Sequence, residues 1–192
     1  MTYPTDPGFE SIEIMDAEAT LSSEALNLRT QTRSLNGQRW EISGSYPLLT
    51  RAEAAVIVAF KKLQRGANGT FTLVLPEYSD TSGTATGTVL VNDASGFAID
   101  DTAITIDGLT GILQAGDFIK FANHDKVYMV VADRDGAGAL TISPPLRAAV
   151  VDNEAITYNS VPFTVRFAKD KQSFSVGTHN RTRIKSDFIE AV

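Results

Sequence analysis

Gln38–Leu75 reads QRWEISGSYPLLTRAEAAVIVAFKKLQRGANGTFTLVL, and the fold turns on this stretch. It runs strand, turn, helix, turn, strand. Gln38 to Ser45 alternates Trp40 and Ile42 with Arg39, Glu41 and Ser43, the pattern of a half-buried strand that Tyr46-Pro47 ends. Thr50 and Glu53 have the spacing of a capping box, in which the Thr hydroxyl accepts from the Glu53 amide and the carboxylate reaches back to the Thr50 amide. A helix is predicted over 51–64, with Ala52, Ala55, Val56, Ala59, Phe60 and Leu63 as its apolar stripe. Gly66 stands where a left-handed cap is wanted, and Lys61, Lys62 and Arg65 complement the dipole in the last turn. Asn68-Gly69 then turns the chain into a strand with Phe71, Leu73 and Leu75 on one face.

Upstream, the Pro- and Gly-bearing Met1–Gly8 reads as an arm that orders only in an assembly. Ser11–Met15 alternates as a short strand, and Asp16–Glu24 reads as a loop. Ala25–Leu35 alternates again and is followed by Asn36-Gly37, the dipeptide of a type I′ turn. These residues predict a long hairpin between Ala25–Leu35 and Gln38–Ser45 that leads into the helix.

Downstream the composition changes. Pro76–Thr88 is rich in Ser, Thr, Gly and Asp and reads as an excursion. Short strands follow at Thr88–Val91, Ala103–Ile106, Asp117–Phe121, Lys126–Ala132, Ala139–Ser143 and Ala155–Tyr158, with Asp133–Gly138 as a hairpin loop. This spacing implies a small β-barrel or sandwich. Phe163–Phe167, Lys171–Val176 and Thr182–Ile189 return to longer strands, the last two as a hairpin around Gly177–Asn180. The expected fold is mainly β: a β-sandwich of residues 1–76 plus 162–192 carrying the helix, with a β-domain of residues 77–161 inserted between; a single continuous sandwich with long loops is the alternative.

The 192 residues carry a net charge of −6, which argues against nucleic acid as the main partner. There is no cysteine, so disulfides and thiol catalysis are excluded. No membrane span and no signal peptide are expected. Asn68-Gly69-Thr70 and Asn180-Arg181-Thr182 match the glycosylation pattern by chance.

The search for chemistry yields no catalytic, cofactor-binding or metal site. His124 and His179 each fall in a turn, without a second histidine at ligand spacing. Asp133, Asp135 and Gly136 weakly resemble a calcium loop but lack its closing Glu, and Asp100, Asp101 and Asp107 read as solvated carboxylates. Gly83–Gly87 and Gly136–Gly138 lack the Lys and the helix N-terminus of a phosphate loop. Arg29, Arg33 and Arg39 form a solvated basic strip. A structural or binding protein is expected rather than an enzyme.

The order of several motifs then matters more than any one of them. Arg39-Trp40-Glu41-Ile42, Tyr46–Glu53, Phe60–Gly66, Gly69-Thr70-Phe71, Leu113–Phe121, Lys126-Val127-Tyr128, Leu140–Leu146 and Val161–Val165 together resemble tail structural proteins of tailed bacteriophages. The resemblance runs over most of the chain from Leu26 on. It implies a distal tail or baseplate hub protein with a tail-tube-like β-sandwich and one flanking helix. It also implies a ring, usually a hexamer, that joins the tail tube to the tip and fibres. DNA would pass through its channel without specific binding, helped by the net negative charge. The inserted domain would face outward toward neighbouring tail proteins, in a virion assembled in the host cytoplasm. A tail tube protein and a host-surface carbohydrate-binding module are the competing expectations.

Overall fold

The computed structural model describes residues 1–192. The chain forms two compact units, Met1–Thr72 with Val165–Ala191, and Leu73–Thr164 with the terminal Val192. In chain order the elements begin with β1 (Ser11–Ala17), β2 (Thr20–Glu24), β3 (Thr30–Ser34), β4 (Arg39–Ser45), the single α-helix α1 (Arg51–Leu63) and β5 (Thr70–Val74). They continue with β6 (Val89–Val91), β7 (Ala103–Asp107), β8 (Ile112–Leu113), β9 (Phe118–Phe121), β10 (Val127–Val130), β11 (Arg134–Asp135), β12 (Gly138–Ser143) and β13 (Ala155–Thr157). The last strands are β14 (Pro162–Phe167), β15 (Phe174–Val176) and β16 (Thr182–Glu190). The molecule is mainly β with one α-helix, as the strand spacing implied.

The first unit is built on an open sheet in the order β1-β4-β16-β14-β5, with β15 added beside β16. The chain leaves this unit through β5 and returns through β14. Strand β4 lies between β1, paired Ser11↔Ser45 to Ala17↔Arg39, and β16, paired Lys185↔Ser45 to Ile189↔Glu41. Its central place explains why Trp40, Ile42 and even Ser43 and Gly44 are buried. A Cβ at Gly44 would run into the Phe9 ring, so the strand needs glycine there. The core is aromatic: Tyr3, Phe60, Phe71, Phe167 and Phe188 meet at centroid distances such as 5.1 Å for Phe60–Phe71 and 5.0 Å for Tyr3–Phe188. Most of these pairs meet edge to face, the arrangement that ring quadrupoles favour.

Three expectations are corrected in this unit. The N-terminal segment is ordered within the chain itself: Tyr3 is buried in the aromatic core, and its amide bonds the Thr72 carbonyl at 2.7 Å. Asn36-Gly37 is not a hairpin turn, and β3 does not pair with β4. Strand β3 pairs with β2, Thr20↔Ser34 to Glu24↔Thr30, so residues expected to loop form a strand. Its sequence TQTRS has no apolar residue to face the core, whereas β1 offers Ile12 and Ile14 opposite Gly44 and Ile42. Between the two registers the returning chain carries two extra residues, and Asn36 absorbs the bulge with a φ of +53°.

The third correction concerns α1. The capping box forms as expected, with Glu53 Oε2 accepting from the Thr50 amide at 2.7 Å. The helix ends at Gln64, and Arg65 (φ +53°) takes the left-handed position before Gly66 (φ +72°) does. Its buried face is Ala54, Ile57, Phe60 and Lys61. Of the predicted stripe only Phe60 faces the core; Ala52, Ala55, Val56, Ala59 and Leu63 are exposed. The helix is apolar on more than one side, and periodicity alone does not choose between the sides.

The second unit contains a closed barrel in the order β10-β12-β7-β6-β13-β9, with β8 and β11 as a small separate ribbon. Ile104, Ile106, Phe121, Tyr128, Leu140 and Ile142 fill its interior. Closure leaves the barrel without a free edge. Asp117, nearly inaccessible to solvent, gathers the preceding loop: its carboxylate accepts from the Thr81 and Ser82 hydroxyls and from the Ser82 and Gln114 amides. Glu154 does the same for the Asn123 and Val151 amides.

Candidate assembly surface

The residues weighed for chemistry stand apart and serve the fold. His124 is buried, with Nδ1 3.0 Å from the Tyr128 hydroxyl and Nε2 3.4 Å from the Ala149 carbonyl. The carbonyl needs a donor, so the proton sits on Nε2 and the Tyr128 hydroxyl donates to Nδ1. That hydroxyl in turn accepts from the Arg147 amide at 3.1 Å. His179 lies in an exposed turn of the first unit at a φ of +61°. Asp133 accepts from the Ala115 amide and Asp101 from the Ala98 amide. Asp135 and Asp107 sit on separate pairings, with Ile112 and with Leu90. No group of three or more His, Asp or Glu side chains is arranged to hold a metal ion. Gly83 and Gly87 lie so close to the Ile112 and Gly108 carbonyls that a Cβ would collide with them, which accounts for glycine in that loop. The basic strip is broken up: Arg39 pairs with Glu41 at 2.6 Å, while Arg33 lies on β3 and Arg29 at the far end of the hairpin.

What the first unit does offer is surface. Strands β2 and β3 form an arm in which every residue is exposed. Its tip is closed by Leu28 N–H to Ala25 O at 2.8 Å and Ala25 N–H to Arg29 O at 3.0 Å. The tip carries Leu26, 107% exposed, and Leu28, 80% exposed. Leu28 holds a φ of +61°, a position in a three-residue hairpin loop that usually falls to glycine. The base of the arm is pinned by buried polar groups. Gln38 donates to Asp16 at 2.6 Å, and Glu190 accepts from the Trp40 amide at 3.1 Å.

A second exposed apolar region lies between α1 and β15. A groove of about 390 Å³ is lined by Arg51, Ala54, Ala55, Val58, Phe174, Val176, Asn180 and Thr182. All three residues of β15 are exposed, and the strand pairs only with β16. Leu48 and Val56 are half exposed nearby. A neighbouring depression is ringed by Lys61, Lys62, Arg65 and Lys171 against the single carboxylate of Asp170.

Charge is divided unevenly between the units. Leu73–Thr164 holds twelve acidic and four basic residues, a net of −8, whereas Met1–Thr72 with Val165–Ala191 holds eleven acidic and thirteen basic, a net of +2. The overall −6 is therefore a property of the barrel unit.

Lys61 is the one deeply buried cation on α1. Its ammonium donates to the Lys185 carbonyl at 2.8 Å and lies 5.9 Å from the Phe167 ring centroid. Burial pulls its pKa down to about 8, against a partial opposing pull from Asp187. Lys61 thus stands in the last turn, as expected, with its ammonium held out of water. At the other end, the Thr50 amide and hydroxyl hold the Glu53 carboxylate below its usual range.

The sequence reading missed the arm and the groove. The signal for the arm was present in Thr20–Glu24 and Thr30–Ser34, two alternating runs without a core residue, flanking the Leu26-Asn27-Leu28 tip. The groove joins α1 to a strand more than a hundred residues away, and only the fold brings the two together.

No family model matches the chain. It is similar to the distal tail protein pb9 of Escherichia phage T5, with 25% identity over 186 residues, spanning 94% of this chain and 91% of that protein. This bears out the resemblance to phage distal tail proteins, and it supports a structural role in a phage tail.

Proposed function

We propose that this protein is a structural component of a bacteriophage tail, the ring at the distal end that joins the tail tube to the tip and fibres. The observation that carries this reading is the likeness to a distal tail protein along nearly the whole chain, both units included. The open sheet of the first unit agrees with it. On the β5 side that sheet is covered by the N-terminal segment through the Thr2↔Thr72 bridge, which leaves β1 as the edge that a neighbouring copy can extend into a wall. An exposed arm and an apolar groove supply further contact surface.

In this reading residues 1–76 plus 162–192 are the ring-forming domain and residues 77–161 are an inserted domain. Six copies close the ring. The inserted β-barrel faces outward and meets other tail proteins, for which its net negative charge selects basic surfaces. The protein works as a scaffold in the virion, not as an enzyme, after assembly in the host cytoplasm. DNA passes through the channel without sequence-specific contact. The lumen must owe this to the residues that face it, because the sheet unit as a whole is slightly basic.

The test is the solution mass of the purified protein by light scattering, with end-on negative-stain images of the same sample. Closed rings of six 20.7 kDa chains are expected. Long tubes would replace this reading with that of a tail tube protein. A protein that stays monomeric when mixed with its tail neighbours would overturn the ring.

A further inference from the structure

We infer that the tip of the β2–β3 arm of one copy seats in the α1–β15 groove of the next. This deepens the ring reading and rests on it for the stoichiometry, but the contact itself can be tested in a pair of chains. Four observations carry it.

The first is the arm itself. A two-stranded hairpin with both faces in water is marginal by itself. Here it is kept, pinned at its base, and tipped with two leucines. Leu28 occupies a left-handed position where glycine would be easier, so the chain accepts backbone strain to present an apolar side chain.

The second is the groove. Ala54, Ala55, Val58, Phe174 and Val176 give it an apolar wall. A cavity of about 150 Å³ is enough for a benzene ring, so a groove of about 390 Å³ accommodates both leucine side chains.

The third is charge. Glu24 closes β2 two residues before Leu26, and Arg51 lines the groove at the start of α1. Arg29 flanks the tip on the other strand, so the seated orientation must bring Glu24, not Arg29, beside Arg51.

The fourth is position, which makes the occupant a second copy. The arm continues from the Ala17↔Arg39 end of the β1–β4 pair. The groove residue Thr182 is bonded to Leu49, beyond the opposite, Ser45 end of the same strand. At about 3.3 Å per residue, the length of β4 puts roughly 23 Å of sheet between the two ends. Arm and groove on one chain lie beyond opposite ends of β4. Complementary patches at opposite ends of a subunit make a head-to-tail contact, which closes into a ring when the rotation between copies permits.

The test is complementation. An arm variant, Leu26→Ser with Leu28→Ser, keeps an intact groove. A groove variant, Phe174→Ser with Val176→Asp, keeps an intact arm. All four positions are exposed, so both variants fold, which circular dichroism verifies. Each alone is expected to stay monomeric at ten times the concentration at which wild type assembles. Mixed together, they are expected to form a one-to-one heterodimer and nothing larger, because only one intact contact exists. Variants that assemble like wild type would overturn the inference and leave the ring reading in place. A mixture that forms no heterodimer would overturn it as well. Heterodimers formed where wild type makes no closed ring would instead keep the contact and sink the ring. The chain has no cysteine, so Leu28→Cys in one copy and Val176→Cys in another give a clean disulfide-trapping check. Trapping no faster than for a Leu28→Cys and Val131→Cys pair would count against the contact.

Discussion

Leu35 donates its amide to the Ala19 carbonyl at 2.9 Å, and through that bond the β1–β4 pairing continues across a bulge into the β2–β3 arm. One long hairpin therefore has two parts of different stability. Near the core, Ile42 is buried between strands; beyond Leu35, no side chain of the paired strands is buried. In the monomer, amides of β2 and β3 are expected to exchange with solvent roughly 100-fold faster than those of β4 or β16. Assembly should slow the arm amides and leave those of β4 unchanged. Hydrogen exchange read by mass spectrometry on monomer and assembly checks both.

The aromatic core of the sheet unit is sensitive to truncation. Phe188 is 1% exposed and touches the rings of Tyr3, Phe71 and Phe167. Phe188→Ala is expected to cost about 3–5 kcal/mol, from lost burial and the cavity left behind. Phe188→Leu should cost less than half as much. Urea unfolding followed by Trp40 fluorescence measures both.

Lys61 makes stability depend on alkaline pH in an unusual direction. Its folded pKa is about 8, against 10.5 for the exposed side chain. Between these values the unfolded chain binds the proton that the folded chain has released, so stability rises with pH across this window. The rise is bounded at about 3.5 kcal/mol by the conversion of ~1.4 kcal/mol per unit. Lys61→Met keeps the stem and removes the titration. The difference in stability between wild type and variant, followed from pH 7 to 11, should change across that window. A difference that stays flat would mean that the ammonium is solvated.

Asp117 ties acid stability to the barrel. Burial pushes its pKa up, but the Thr81 and Ser82 hydroxyls and the Ser82 and Gln114 amides outweigh that and hold it below the usual carboxylate value of 3.8. Its contribution is therefore present above pH 3.8 and is lost as pH falls through the lower folded value. Asp117→Asn keeps the shape and loses the charge-assisted bonds. It should destabilise the chain by about 2–3 kcal/mol at pH 7. It should also remove the corresponding loss of stability in acid. Thermal unfolding at a series of pH values tests both.

The sequence by itself determined the elements that local chemistry specifies. The Thr50–Glu53 cap set the start of α1, and the alternation in Val127–Val130, Gly138–Ser143 and Thr182–Glu190 marked strands that exist. The order of motifs from Arg39 to Val165 pointed to the phage-tail likeness. Tertiary structure alone decided partners and faces. Asn36-Gly37 has the chemistry of a turn, but a strand reading TQTRS cannot cover Trp40 and Ile42, so β1 took its place and the dipeptide became a bulge. Helix α1 is apolar over more of its circumference than one sheet can bury. Which stripe turned inward was fixed by the aromatic rings waiting there, while Ala52, Val56, Ala59 and Leu63 were left exposed. The net charge was legible as a sum, but its division between barrel and sheet required knowing where the chain leaves one unit and returns. Pattern along a chain records what each segment can bury; what it does bury depends on neighbours that are far away in sequence.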